Sequence, residues 1–231
     1  MGDRYWLGVG ARLIAGLAIV AWAASYLTPG SGEKEFKKSL DAMKQAHTLR
    51  VAFTATPAEN LHNQMLWEID CNRGVAHYQM HDVNSSNNSP NEMNRDQMIV
   101  GNRAYDHQSD GSWAPVKYGY NGGSALGFCT NLAQGVDTNV LPPIATMIRR
   151  GILLKGDKKT VNGVRCREWQ VTMKGGYRGL EHDTVCLGLE DHLPYEMTVD
   201  WENSRWSFSD YNAPLQLDVP QAPVEAASTN N

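Results

Sequence analysis

The sequence lacks the arrangements that catalysis and metal binding require. None of its four cysteines stands at CxxC spacing, and no short cluster of thiols and histidines offers a zinc site. No serine occupies a G-x-S-x-G elbow, and no H-E-x-x-H occurs. Gly119, Gly122, Gly123 and Gly127 lack the strand-glycine-helix context of a phosphate loop. Charge of one sign is also scarce. The whole chain carries −4, of which Asp3, Arg4 and Arg12 contribute +1, so residues 28–231 carry −5. That balance gives no basic footprint for nucleic acid and no polybasic stretch for anionic lipid. The expectation is a protein without metal or cofactor, and not an enzyme.

Histidine and aspartate do stand side by side, as His81-Asp82, Asp106-His107, His182-Asp183 and Asp191-His192. Neighbours along a strand point to opposite faces, so adjacency in sequence does not make a dyad. These pairs read as strand-end and turn residues. A hydrolase built on one of them is the weakest reading of the chain.

What the sequence has is one sharp change of solvent. Residues 13–27 (LIAGLAIVAWAASYL) form an uncharged apolar run behind Arg4 and Arg12. At 15 residues it is nearer a signal-peptide core than a span of about 20 residues. Counting back to Trp6 across Arg12, which can snorkel, lengthens it to a single membrane span. Ala21-Trp22-Ala23 fits a cleavage site. Cleaved signal and signal-anchor both remain open, and in both the arginines hold the N-terminus inside. No cysteine follows the run, which excludes a lipoprotein anchor. The rest of the chain is therefore expected outside the cytoplasm, in the periplasm. It is either tethered to the inner membrane or released. The division that follows is 1–30 leader, 31–220 domain and 221–231 tail. The tail ends in AASTNN and is read as disordered.

The domain begins with a helix over 31–47. Ser31 can cap it, Glu33 and Glu35 suit its first turn, and Phe36, Leu40, Met43 and His47 share one face. From Thr48 the period becomes two: Leu49, Val51, Phe53 and Ala55 alternate with polar or small residues, and Met65, Trp67, Ile69 and Cys71 return. Gly101-Asn102 is a tight hairpin turn that sets Val100 opposite Arg103, Ile99 opposite Ala104 and Met98 opposite Tyr105. Residues 119–151 break the strand pattern, and Leu126 to Ile148 are too apolar for an exposed loop, so short helices are expected there. Strands then run over about 152–161, 164–173, 182–190, 193–202 and 205–211. A two-residue turn at Asn203-Ser204 sets Glu202 opposite Arg205, Trp201 opposite Trp206 and Val199 opposite Phe208. Gly175-Gly176 lies midway between Cys166 and Cys186, which places these two opposite each other as a cross-strand disulfide. Cys71 and Cys129 pair by elimination. One antiparallel sheet of ten or eleven strands must curl to bury a face, and the helices can cover its concave side.

In five passages the chain resembles the LolA-like superfamily of bacterial lipoprotein carriers and mycobacterial lipid-binding lipoproteins. They are SLDAMKQAHTLRVAF (39–53), MIVGNRAYDHQSDGSWAPV (98–116), VNGVRCREWQV (161–171), DHLPYEMTV (191–199) and FSDYNAPLQLDVP (208–220). The resemblance covers about residues 33–220. It implies an α+β fold: a strongly curved antiparallel half-barrel with a long N-terminal helix and short lid helices on the concave face. It also implies that an apolar cavity there holds an acyl chain of a lipid or acylated peptide, with 126–148 as the lid. By position, Val51, Phe53, Met65, Trp67, Leu141, Ile144 and Met147 are its cavity or lid residues. The chain departs from the group in lacking the lipobox cysteine and in carrying four cysteines. A membrane-anchored structural or sensory domain with a protein partner, as in the related periplasmic stress regulator, is the alternative.

Overall fold

The computed structural model describes residues 29–58, 61–84, 91–116, 124–137, 140–176, 179–200 and 203–220. Residues 1–28, residues 177–178 and the tail beyond 220 lie outside them, as do Trp201 and Glu202. Among the described residues no helix is long and apolar enough to cross a membrane.

Eleven strands form one antiparallel sheet in the order β6-β5-β4-β3-β2-β1-β11-β10-β9-β8-β7. The first block is β1 (Thr48–Ala58), β2 (Leu61–Asp70), β3 (Val75–Asn84), β4 (Asn91–Val100), β5 (Arg103–His107) and β6 (Trp113–Pro115). The second is β7 (Gly151–Val161), β8 (Val164–Gly176), β9 (Gly179–Gly188), β10 (Pro194–Val199) and β11 (Ser204–Ser209). The blocks are hairpin meanders joined where β1 pairs with β11. This topology dictates the helical cover. Strands β6 and β7 are consecutive in the chain yet form opposite edges of the sheet. Their connection must cross a face, and it carries α2 (Ala125–Gln134) and α3 (Ile144–Arg150). Helix α1 (Pro29–Lys44) feeds the central strand β1 and packs beside both.

Helix α1 already includes Pro29 and Gly30, so Ser31 lies within it and does not cap it. It ends before His47, which is exposed and donates its backbone N–H to Asn212 Oδ1 at 2.9 Å. Gly32 lets the helix sit on the sheet: a Cβ there would stand 2.7 Å from Leu153 Cβ. In α2, Ser124 Oγ accepts from Gly127 N at 2.8 Å, and Gly135 at φ 69° closes the helix. Helix α3 has no cap of its own. Asp137 supplies one, accepting from Ala145 N and Thr146 N at 3.0 Å each and from Thr146 Oγ1 at 2.6 Å.

The Gly101-Asn102 hairpin has the expected register at all three pairs. Two other registers are corrected. Val199 faces Ser204, not Phe208. The connection between β10 and β11 is longer than two residues: Asn203 takes φ 45°, donates to Asp200 O at 3.1 Å, and reaches across to Thr56 Oγ1 at 2.5 Å. The offset is an even number of residues, so Trp206 and Phe208 keep the inward face. Phe208 meets Val51 instead. Cys166 of β8 faces Gly188 of β9 while Cys186 faces Glu168, because Gly176 is itself paired, opposite Gly179. The bond between Cys166 and Cys186 therefore runs diagonally, with Cα atoms 5.5 Å apart. Cys71 and Cys129 are also bonded, tying the end of β2 to α2. After Asp210 the chain is ordered as a strap. Leu215 and Leu217 pack on Val75, Met98 and Tyr105, and Arg73 Nη2 donates to Leu217 O at 3.4 Å.

Candidate functional site

Strand alternation divides the side chains between two faces. Leu49, Val51, Phe53 and Ala55 point inward from β1, and Arg50, Ala52 and Thr54 point outward. The inward face lies under the helices and is packed. Phe36 and Met43 of α1, Leu132 of α2, and Ile144 and Met147 of α3 meet Leu49, Val51, Ile69, Ile99, Val171 and Phe208. Phe36 meets Trp169 edge-to-face with ring centroids 5.9 Å apart. Between α1 and the segment that leads into α3, the remaining space is about 10 Å³. That is no more than one water position.

The seven residues expected at an acyl cavity divide accordingly. Val51, Ile144 and Met147 are fully buried in this core, and Leu141 is buried beside Pro142. Trp67 is half-buried against Tyr78, with ring centroids 4.3 Å apart. Phe53 packs on Trp206 at 4.4 Å, and Met65 lies opposite Phe53. The structure thus brings the seven to one face: Val51, Leu141, Ile144 and Met147 are packed in the core, and Phe53 and Met65 also line a groove.

The large concavity is on the other face. A groove of about 550 Å³ runs across β1–β4 and ends at His107 of β5. Its outward-pointing residues are Ala52, Thr54, Gln64, Leu66, Gln79, His81, Asn94, Asp96 and His107; Phe53, Met65, Met80 and Arg95 complete the lining. Sequence reading names Phe53 and Met65 but passes over the outward residues, because alternate polar residues on a strand are what any solvated face shows. The one local hint is Leu66, an apolar residue at an outward position.

Beside the groove an ionic chain crosses the outer face. Asp210 Oδ2 accepts from Arg50 Nη1 at 2.6 Å, and Glu68 Oε1 accepts from Arg50 Nη2 at 2.7 Å. Glu68 Oε2 lies 3.0 Å from His77 Nδ1, and Asp96 Oδ1 lies 2.7 Å from His77 Nε2. Asp96 Oδ2 is 3.2 Å from His107 Nδ1, and His107 stacks on Trp113. Burial pushes the Glu68 carboxyl up. The hydrogen bonds from Arg50 and His77 outweigh it and hold the group below its ordinary value. A second cluster lies on the same face of the other block. Glu196 accepts from Lys159 at 2.7 Å and from Arg205, and Lys159 also meets Glu168 at 2.6 Å. Glu196 is likewise held low against its burial. Within each cluster the charged groups are paired with one another. Of the four adjacent His/Asp pairs, His81 reaches Asn94 at 2.6 Å and His192 lies 3.2 Å from Glu35. Among the described residues no group of three or more His, Cys, Asp or Glu side chains is placed to hold a metal.

The sequence matches no family model and no curated protein. Among solved structures the chain is similar to MucB, at 14% identity and a TM-score of 0.45 over 85% of this chain and 65% of that one. It is also similar to the MucA/MucB complex of Pseudomonas aeruginosa, at 12% identity and TM-score 0.43 over 81% and 59%. A third is the LolA superfamily protein NE2245 of Nitrosomonas europaea, at 7% identity and TM-score 0.27 over 81% and 95%. The chain spans less than two thirds of the MucB chains it matches. Its two disulfides are the chemistry of an oxidising, extracytoplasmic compartment.

Proposed function

We propose that the chain is a non-enzymatic, extracytoplasmic binding domain, and that it holds a lipid or acylated peptide in the outer groove of β1–β4. The observation that carries this reading is the groove of about 550 Å³ on the outer face, against about 10 Å³ between α1 and the segment that leads into α3. A groove of that size falls in the usual range for ligand sites. Ala52 and Leu66 give it an apolar floor, where each methylene taken out of water contributes ~0.8 kcal/mol. Gln64, Gln79 and Asn94 present amides that can both donate to and accept from a peptide backbone. Leu141, Ile144 and Met147 then act by holding the sheet's shape, while Val51, Phe53, Met65 and Trp67 back the groove from the inner side.

The test compares a palmitoylated peptide with the same peptide unacylated, by fluorescence anisotropy against the full chain. The acylated form should bind at least tenfold tighter, and Leu66→Glu should remove that difference without lowering Tm by more than a few degrees. Equal affinity for the two peptides would overturn the proposal.

One observation favours the alternative of a protein partner. Strand β7 is an open edge of eleven residues, with Ile152 50% and Leu154 38% exposed. A partner's strand can extend the sheet there. Binding of that kind is insensitive to Leu66→Glu and lost in Ile152→Lys/Leu154→Lys.

A further inference from the structure

A separate cavity of about 260 Å³ opens on the inward side, where the first turns of α1 meet the ends of β7–β9. Its floor is Trp169 and Leu187, both buried. Three cations converge on it from distant parts of the sequence: Lys34 of α1, Lys155 of β7 and Arg167 of β8. The registers put them on one face independently, since Lys155 stands opposite Trp169 and Arg167 opposite Leu187. Arg167 is oriented by donating Nη1 to Gly156 O at 3.0 Å. The one carboxylate in the lining, Glu35, is engaged by Lys38 at 2.8 Å and by His192 at 3.2 Å. Among the described residues none of the three cations has a carboxylate within 4.0 Å. Ser31 adds a hydroxyl at the rim. In a chain of net charge −4, this is a local excess of positive charge over an apolar floor.

We propose that this cavity is a binding site for a phosphate group, held by Lys34, Lys155 and Arg167. Converging guanidinium and ammonium donors form short, charge-assisted hydrogen bonds to phosphate oxygens, and a partly enclosed site screens them less than open water. Position in the chain points to the source. Only three residues separate Leu27, the end of the apolar run, from Ser31, and the four steps reach at most about 14 Å. If the run stays in the membrane, the cavity lies at headgroup depth. The polar headgroup of an anionic phospholipid and free phosphate share this chemistry.

The test is calorimetric titration of the full chain, in neutral detergent at low salt, with inorganic phosphate and with dihexanoyl phosphatidylglycerol. Saturable binding of either supports the site. Lys34→Gln/Lys155→Gln, which alters exposed side chains only, should weaken it at least tenfold. Arg167→Gln should weaken it at least as much, and raising salt tenfold should do the same. Tenfold tighter binding of the lipid names the headgroup as the source, and equal or tighter binding of inorganic phosphate names the free anion. No binding of either probe, or binding unchanged in the double variant, overturns the site. The cavity is separate from the outer groove, so Leu66→Glu should leave phosphate binding unchanged, and failure of the acyl reading does not affect it.

Discussion

The two faces of this sheet come from the same strands and are built on opposite terms. The inner face puts Leu49, Val51, Ile69 and Ile99 against three helices and leaves about 10 Å³ between α1 and the segment that leads into α3. The outer face carries two ionic clusters and a groove of about 550 Å³. The difference teaches where room for a ligand can survive. A sheet crossed by its own connection fills the face it curls around, and burying side chains such as Phe36, Ile144 and Met147 contributes about 2–3 kcal/mol each. The face left to solvent must keep its charges satisfied in water, and it can do so while bending into a groove.

Substitutions that treat the faces alike should break the comparison most. Ile144→Glu buries a charge without a partner and should cost more than about 4 kcal/mol, enough to abolish a cooperative urea transition. Thr54→Glu, on the opposite face, should stay within about 0.5 kcal/mol. The disulfides come next. Removing Cys71–Cys129, which joins residues 58 apart, should cost about 4 kcal/mol, and removing Cys166–Cys186, at separation 20, about 3 kcal/mol. The first ties sheet to helix and the second lies within the outer face, so only the first should also loosen α2 in hydrogen exchange. Asp137→Ala takes three hydrogen bonds from the start of α3 and should cost about 1–2 kcal/mol by thermal unfolding.

The smallest effect is a pH dependence of the outer face. Glu68 and Glu196 titrate below their ordinary value in the folded chain. The stability they contribute is therefore fully present above the unfolded value of about 4.3, and is lost as pH falls through the lower folded values. Glu196→Gln should flatten the acid limb of a stability–pH curve measured between pH 5 and 2. An unchanged limb would mean that the Lys159 and Arg205 contacts do not hold in solution.

The inner face was legible in the sequence because it is periodic. Leu49, Val51, Phe53 and Ala55 alternate, and Gly101-Asn102 announces its own turn, so β1 and the β4–β5 register could be read from residues alone. The β10–β11 register could not. Its apparent two-residue turn competes with a longer connection that Asn203 fastens to Thr56, a residue 147 positions away. Side-chain alternation alone does not separate registers that differ by an even step. The strap at Leu215 and Leu217 was hidden by the prolines around it. The outer groove was illegible for a different reason. Its residues sit on five strands with no common motif, and its polar members are ordinary solvent-facing side chains until the sheet bends them together.

The most direct test of the central claim is photo-crosslinking of the full chain with a palmitoyl chain carrying a terminal diazirine, mapped by peptide mass spectrometry. The account predicts adducts on the groove segments of β1–β4, around Ala52, Leu66, Gln79 and Asn94. Adducts concentrated instead on Val51, Ile144 and Met147 would show that the helices open to admit the chain, and would contradict it.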